Sequence, residues 1–128
     1  MRDTLFAHPL EERMANILDR EHIPWEYAVS FKICSKGGSK SREVDFVLLH
    51  PVYVQSVPES VEAKIYGPSL DRPVKYLEVK ARMLDSDGRV NGDALKQQKE
   101  LYKRGIRTLI ITGSMIEFFE KNGFERKW

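Results

Sequence analysis

Three side chains define the chemistry this chain is equipped for. In Tyr76-Leu77-Glu78-Val79-Lys80-Ala81, apolar and polar residues alternate with the period of a strand. Leu77, Val79 and Ala81 fall on one face, so Tyr76, Glu78 and Lys80 share the other. A carboxylate and an ammonium then project side by side. Asp45 sits upstream inside Glu43-Val44-Asp45-Phe46-Val47-Leu48-Leu49, a second strand-like run. Aspartate is a poor strand former, and a carboxylate amid apolar neighbours costs free energy unless it is paired or bound to metal. Two carboxylates on adjacent strands can hold a hard divalent cation through oxygen. A lysine beside them can hold a water or a scissile phosphate. The set suits metal-assisted cleavage of a phosphodiester. An edge-strand aspartate in water, or one paired with a lysine, is the alternative for Asp45.

Asp45 followed by Glu78-Val79-Lys80 resembles the D…ExK signature of the PD-(D/E)XK nuclease superfamily. The resemblance implies a restriction-endonuclease-like α/β fold, a mixed β-sheet flanked by helices in the order α-β-β-β-α-β. It implies Mg²⁺-dependent hydrolysis of DNA, with Mn²⁺ substituting and Ca²⁺ binding without turnover. Asp45 and Glu78 would bind the metal, joined by the backbone carbonyl of Val79, while Lys80 orients or deprotonates the attacking water. Members commonly carry a further acidic residue on the first helix. Glu11, with Met14 three residues on and Leu18 seven on, matches that spacing. Gln98 and Tyr102 resemble the QxxxY of RecB-type members, with Gln97 as the register alternative. Many compact relatives pair two subunits, so a homodimer is expected. A non-catalytic DNA-binding or assembly subunit that keeps the fold is the alternative function.

The elements that must position these residues are legible in part. Pro9 to Arg20 reads as a helix with proline at its first position and a stripe of Leu10, Met14, Ile17 and Leu18. Glu11 falls on the edge of that stripe and Glu12 opposite it; an acidic first turn favoured by the helix dipole is the plainer reading of both. Ile23 to Ile33 reads as a strand, with Trp25, Tyr27, Val29, Phe31 and Ile33 on one face. Ser35 to Arg42 reads as a flexible turn. Its Lys36, Lys40 and Arg42 either meet the DNA backbone or belong to a solvated loop. His50-Pro51 should end the Asp45 strand. An insert over about residues 50–73 follows, and it holds a second ExK, Glu62-Ala63-Lys64, which would displace the site if it were the true pair. Asp93 caps a helix running to Arg104, with Ala94, Leu95, Leu101 and Tyr102 inward and Lys96, Lys99 and Lys103 outward as further phosphate contacts. Gln98 sits amid the inner face and needs a hydrogen-bond partner there. Thr108 to Thr112 is an apolar run suited to a strand buried on both faces. Ser114 to Asn122 reads as a last helix, with Ser114 and Glu117 as a capping box.

Composition narrows the classes further. The 128 residues fit one domain, 41% hydrophobic and 31% charged. No apolar run approaches a membrane span, and no leader is expected ahead of the first helix. A lone Cys34 excludes an internal disulfide and fits a reducing cytoplasm, whether of a host cell or of one carrying a phage or mobile element. The net charge of +2 leaves any nucleic-acid footprint to charge distribution and not to charge sum.

Overall fold

Pro9 opens helix α1, Pro9–Arg20, behind His8, whose imidazole accepts the Leu10 N–H at 3.1 Å. The computed structural model describes residues 5–35, 37–61 and 66–126; Lys36, Glu62 and Lys64 lie outside the described residues, as does the Cys34 side chain. Strands β1, Trp25–Ser35, and β2, Gly38–Val52, form a long hairpin. Strand β3, Val74–Lys80, pairs with β2 antiparallel; helix α2, Gly92–Tyr102, then crosses over to strand β4, Thr108–Thr112, which lies parallel to β3. Helix α3, Gly113–Asn122, follows directly. The architecture is α/β, a four-stranded mixed sheet in the order β1-β2-β3-β4 with three helices.

The helices cover both faces. On one, Met14, Ile17 and Leu18 of α1 and Met115, Ile116 and Phe119 of α3 enclose Phe46, Leu48, Leu77, Val79, Leu109 and Ile111. On the other, Leu101 of α2 packs on Ile33, Val44 and Val47, and Ala94 packs on Ile110. Strand β4 is therefore buried at every position, as its continuous apolar run predicts.

Several elements differ from the sequence reading. The turn expected over Ser35 to Arg42 is shorter among the described residues: Gly37 is a turn, but from Gly38 on the segment is strand, where Lys40, Ser41 and Arg42 pair with Ile33, Lys32 and Phe31 inside the hairpin. Strand β2 runs past His50-Pro51 to Val52; the missing proline N–H falls where the β2–β3 register shifts. Helix α2 is capped by Asn91, whose side chain accepts from Ala94, and not by Asp93. Thr112, and not Ser114, caps α3. Tyr102, expected inside, is 56% exposed.

Strand β1 does not keep one face. Trp25 and Tyr27 pack against the larger core, whereas Val29, Phe31 and Ile33 join the cluster under α2. The switch occurs at Ala28, which has φ 55, a left-handed conformation that L side chains resist. Across the hairpin, β2 switches in step: Val44 belongs to the α2 side and Phe46 to the α1 side. Asp45 is the residue between them. The kinked point of the hairpin thus carries the carboxylate.

Candidate metal and phosphodiester site

Beyond the pair Phe46–Leu77, the ladder between β2 and β3 stops. The Asp45 carboxylate takes the place of a strand carbonyl: its Oδ2 accepts the Val79 N–H at 2.8 Å. The N–H and C=O of one strand residue point to the same side, so the Val79 carbonyl faces this fork too. Glu78 and Lys80, alternating with buried Leu77 and Val79, stand together, with Lys80 Nζ 3.8 Å from Glu78 Oε1.

Glu78 is only 8% exposed, and its Oε2 is buried without a hydrogen-bond partner. Burial, reinforced by the Asp45 charge, pushes the Glu78 carboxyl up to about 8, with Lys80 opposing the rise. Asp45 is also raised, first by burial and then by the Glu11 charge, although the Val79 N–H and Lys80 pull the other way. Two acids buried beside each other favour the protonated form, or a cation that offsets their charge.

Glu11 belongs to the same neighbourhood. It is buried while Glu12 is exposed, as the helical wheel predicts. Its Oε1 accepts a hydrogen bond from the Tyr27 hydroxyl, which also accepts from the Ala7 N–H. Burial, then this bond to Glu11, push Tyr27 up to about 12, so it remains a donor. Tyr27 reads from sequence as core only; its one available signal is that a buried tyrosine hydroxyl needs a partner.

The remaining candidates lie elsewhere. Gln98 does not join the carboxylates: its amide donates to the Thr108 carbonyl at 2.9 Å, at the end of β4 that pairs with Tyr76. Lys80 pairs with Thr112 at the opposite end. Gln97 reaches the hairpin instead, donating to the Glu43 carbonyl at 3.1 Å. Lys40, Lys96, Lys99 and Lys103 are exposed. Arg42 donates to Glu100 at 2.9 Å, and Lys40 and Lys96 also act on that glutamate. The basic surface between α2 and the hairpin therefore contains a carboxylate of its own.

The donor set can be tested against a divalent cation on these atoms. Among the described residues, no three carboxylate, imidazole or thiolate side chains converge into a ready-made ligand cluster. Mg²⁺ does not require one, since it is usually held by one or two carboxylates while keeping waters or substrate phosphate oxygens. The unpartnered Glu78 Oε2, the Asp45 carboxylate and the Val79 carbonyl fit that mode. No family model matches the chain, and no curated protein or solved structure is significantly similar to it.

Proposed function

We propose that this chain is a Mg²⁺-dependent deoxyribonuclease whose reaction centre is Asp45, Glu78 and Lys80. The observation that carries the reading is the buried Glu78 carboxylate beside Asp45, with the Lys80 ammonium 3.8 Å from its Oε1. A divalent cation bound there supplies Lewis-acid polarisation of the phosphate and a more acidic bound water. Asp45, held by the Val79 N–H, and Glu78 would be its ligands, with the Val79 carbonyl on the same side. Lys80 sits where it can orient the attacking water and meet charge developing on the phosphoryl oxygens. Glu11, fixed by Tyr27, adds negative charge behind Asp45 and would act on the waters of the site. Pairing of two subunits would bring two such centres to the two strands of a duplex.

The experiment is cleavage of plasmid, single-stranded, flap and four-way-junction DNA in Mg²⁺, Mn²⁺ and EDTA. Wild type should cut at least one substrate in Mg²⁺ and Mn²⁺ and none in EDTA. Asp45→Asn should be inactive while still binding DNA. Binding without cleavage by the wild-type protein on every substrate would favour the assembly-subunit reading instead.

A further inference from the structure

A second concave surface lies away from the carboxylates, between α2, the start of β4 and the segment Gly67–Arg72. Gly67, Arg72, Gln98, Lys99, Tyr102 and Arg107 are among the residues lining a cavity of about 420 Å³. Three of the lining residues are cationic and none is acidic. Arg72, Lys99 and Arg107 are all exposed. The cavity wall is fixed from beneath: Gln98 is tied to the Thr108 carbonyl, and Gly67, at φ 130, lies so close that a Cβ there would stand 2.4 Å from Thr108 O and 2.7 Å from Gln98 Nε2. Arg107 lies over the Tyr102 ring, 5.1 Å from its centroid, and donates to its hydroxyl at 3.0 Å. That bond, then the charges of Arg107 and Arg72, hold Tyr102 below the usual tyrosine range. The Tyr102 ring is 56% exposed and so accessible to a planar group.

We infer that this cavity binds a nucleotide unit, its phosphate among Arg72, Lys99 and Arg107 and its base stacked on the exposed ring of Tyr102. Arginine and lysine supply the charge and the fork that a phosphate takes, and stacking on an aromatic side chain accepts any base. The larger cavity, beside the C-terminal ends of α1 and α3, offers no such excess, since Glu21, Glu120 and Glu125 line it beside Arg20, Lys121 and Arg126. The phosphate could belong to a free nucleotide or to a single strand of DNA, and the chemistry of recognition is the same.

The test is calorimetric titration of the full chain in EDTA, which removes any contribution from a divalent metal. The probes are dTMP, thymidine, inorganic phosphate and the octamer (dT)₈. dTMP should bind, and thymidine should not. Arg72→Ala and Arg107→Ala should each weaken binding about tenfold, the loss of one charge-assisted phosphate contact. Tyr102→Ala should leave dTMP no better than inorganic phosphate. Lys121→Ala, on the far side, and the double variant Asp45→Asn/Glu78→Gln should bind as wild type does. Much tighter binding of (dT)₈, lost in the same variants, identifies a strand as the ligand, and equal affinity identifies the free nucleotide. Binding that ignores Arg72 and Arg107, or that is lost in the Asp45/Glu78 variant, would overturn the inference. Every variant, the double one included, is checked by thermal melting, so a failure to fold is not mistaken for a failure to bind. Inactive DNA cleavage with this binding intact would contradict the nuclease reading and leave the inference standing.

Discussion

At the scale of single residues, the site consists of groups held against their own preference. Glu78 is withdrawn from solvent and faces a second acid. Its carboxyl stands at about 8 against an ordinary 4.5, so the folded state holds the proton more tightly than the unfolded chain. The stabilisation from that proton is complete below about pH 4.5 and disappears as pH rises through about 8. In EDTA, the melting temperature of wild type should therefore fall relative to that of Glu78→Gln between pH 5 and 9. Mg²⁺ should reduce the difference by replacing the proton with a cation. Parallel melting curves for the two proteins would show that Glu78 is not strained. Glu11 offers a second check. It is buried and tied to Tyr27, whereas Glu12 is in water. Glu11→Ala should raise the Mg²⁺ concentration needed for cleavage several-fold more than Glu12→Ala, and a larger effect at Glu12 would contradict its placement. The alternation around Glu78 and Lys80 made this pair legible. Gln98 was less so: its need for a partner was readable, but a sequence does not show that a strand-end carbonyl, Thr108 O, would meet it before the carboxylates could.

At the scale of elements, the hairpin kink is what brings Asp45 to the fork. Positive φ at Ala28 moves β1 from one core to the other, and β2 follows at Asp45. In an ordinary strand, valine outranks alanine and alanine outranks glycine. At position 28 the order should invert. Ala28→Gly should be neutral or stabilising, because glycine accepts left-handed backbone at no steric cost. Ala28→Val should destabilise by about 1 kcal/mol or more, since a β-branched side chain resists that conformation. Urea unfolding measures both, and the ordinary strand order would contradict the kink. Helix α1 and strand β4 were legible to their end residues because their signals do not compete: a proline with a single stripe, and an unbroken apolar run. The caps shifted because Asn91 stands near Asp93, and Thr112 near Ser114, so two competent caps compete within one turn. The kink was not legible, since an alanine gives no sign of left-handed backbone and the period-two pattern continues through it.

At the scale of the whole molecule, the carboxylates and the cation-lined cavity lie toward opposite ends of strand β4. The carboxylates lie at the fork where β2 parts from β3, and cationic side chains gather along α2. Among the described residues, no helix is long and apolar enough to cross a membrane. With a net charge of only +2, DNA affinity should depend on where the lysines stand. Each of Lys40, Lys96, Lys99 and Lys103 that meets a phosphate should contribute about one unit to the slope of log affinity against log salt. Arg42 should contribute less, because Glu100 already holds its guanidinium. Unchanged affinity and slope after neutralising the four lysines would place the DNA elsewhere. The α/β class and the mixed sheet were legible from element order alone. The two-faced hairpin and the Tyr27–Glu11 contact depend on tertiary packing and were not.

The most direct test of the central claim is single-turnover DNA cleavage in Mg²⁺ by Lys80→Ala beside Lys64→Ala. Lys80 stands 3.8 Å from Glu78 on the strand that carries Glu78 and Val79, two of the proposed metal ligands. Losing one preorganised charge of this kind costs on the order of a hundred- to a thousand-fold in rate. The account predicts that Lys80→Ala remains folded, keeps most of its DNA affinity and cuts slower by that factor, while Lys64→Ala cuts near the wild-type rate. A near-normal rate for Lys80→Ala, or an inactive Lys64→Ala, would contradict it.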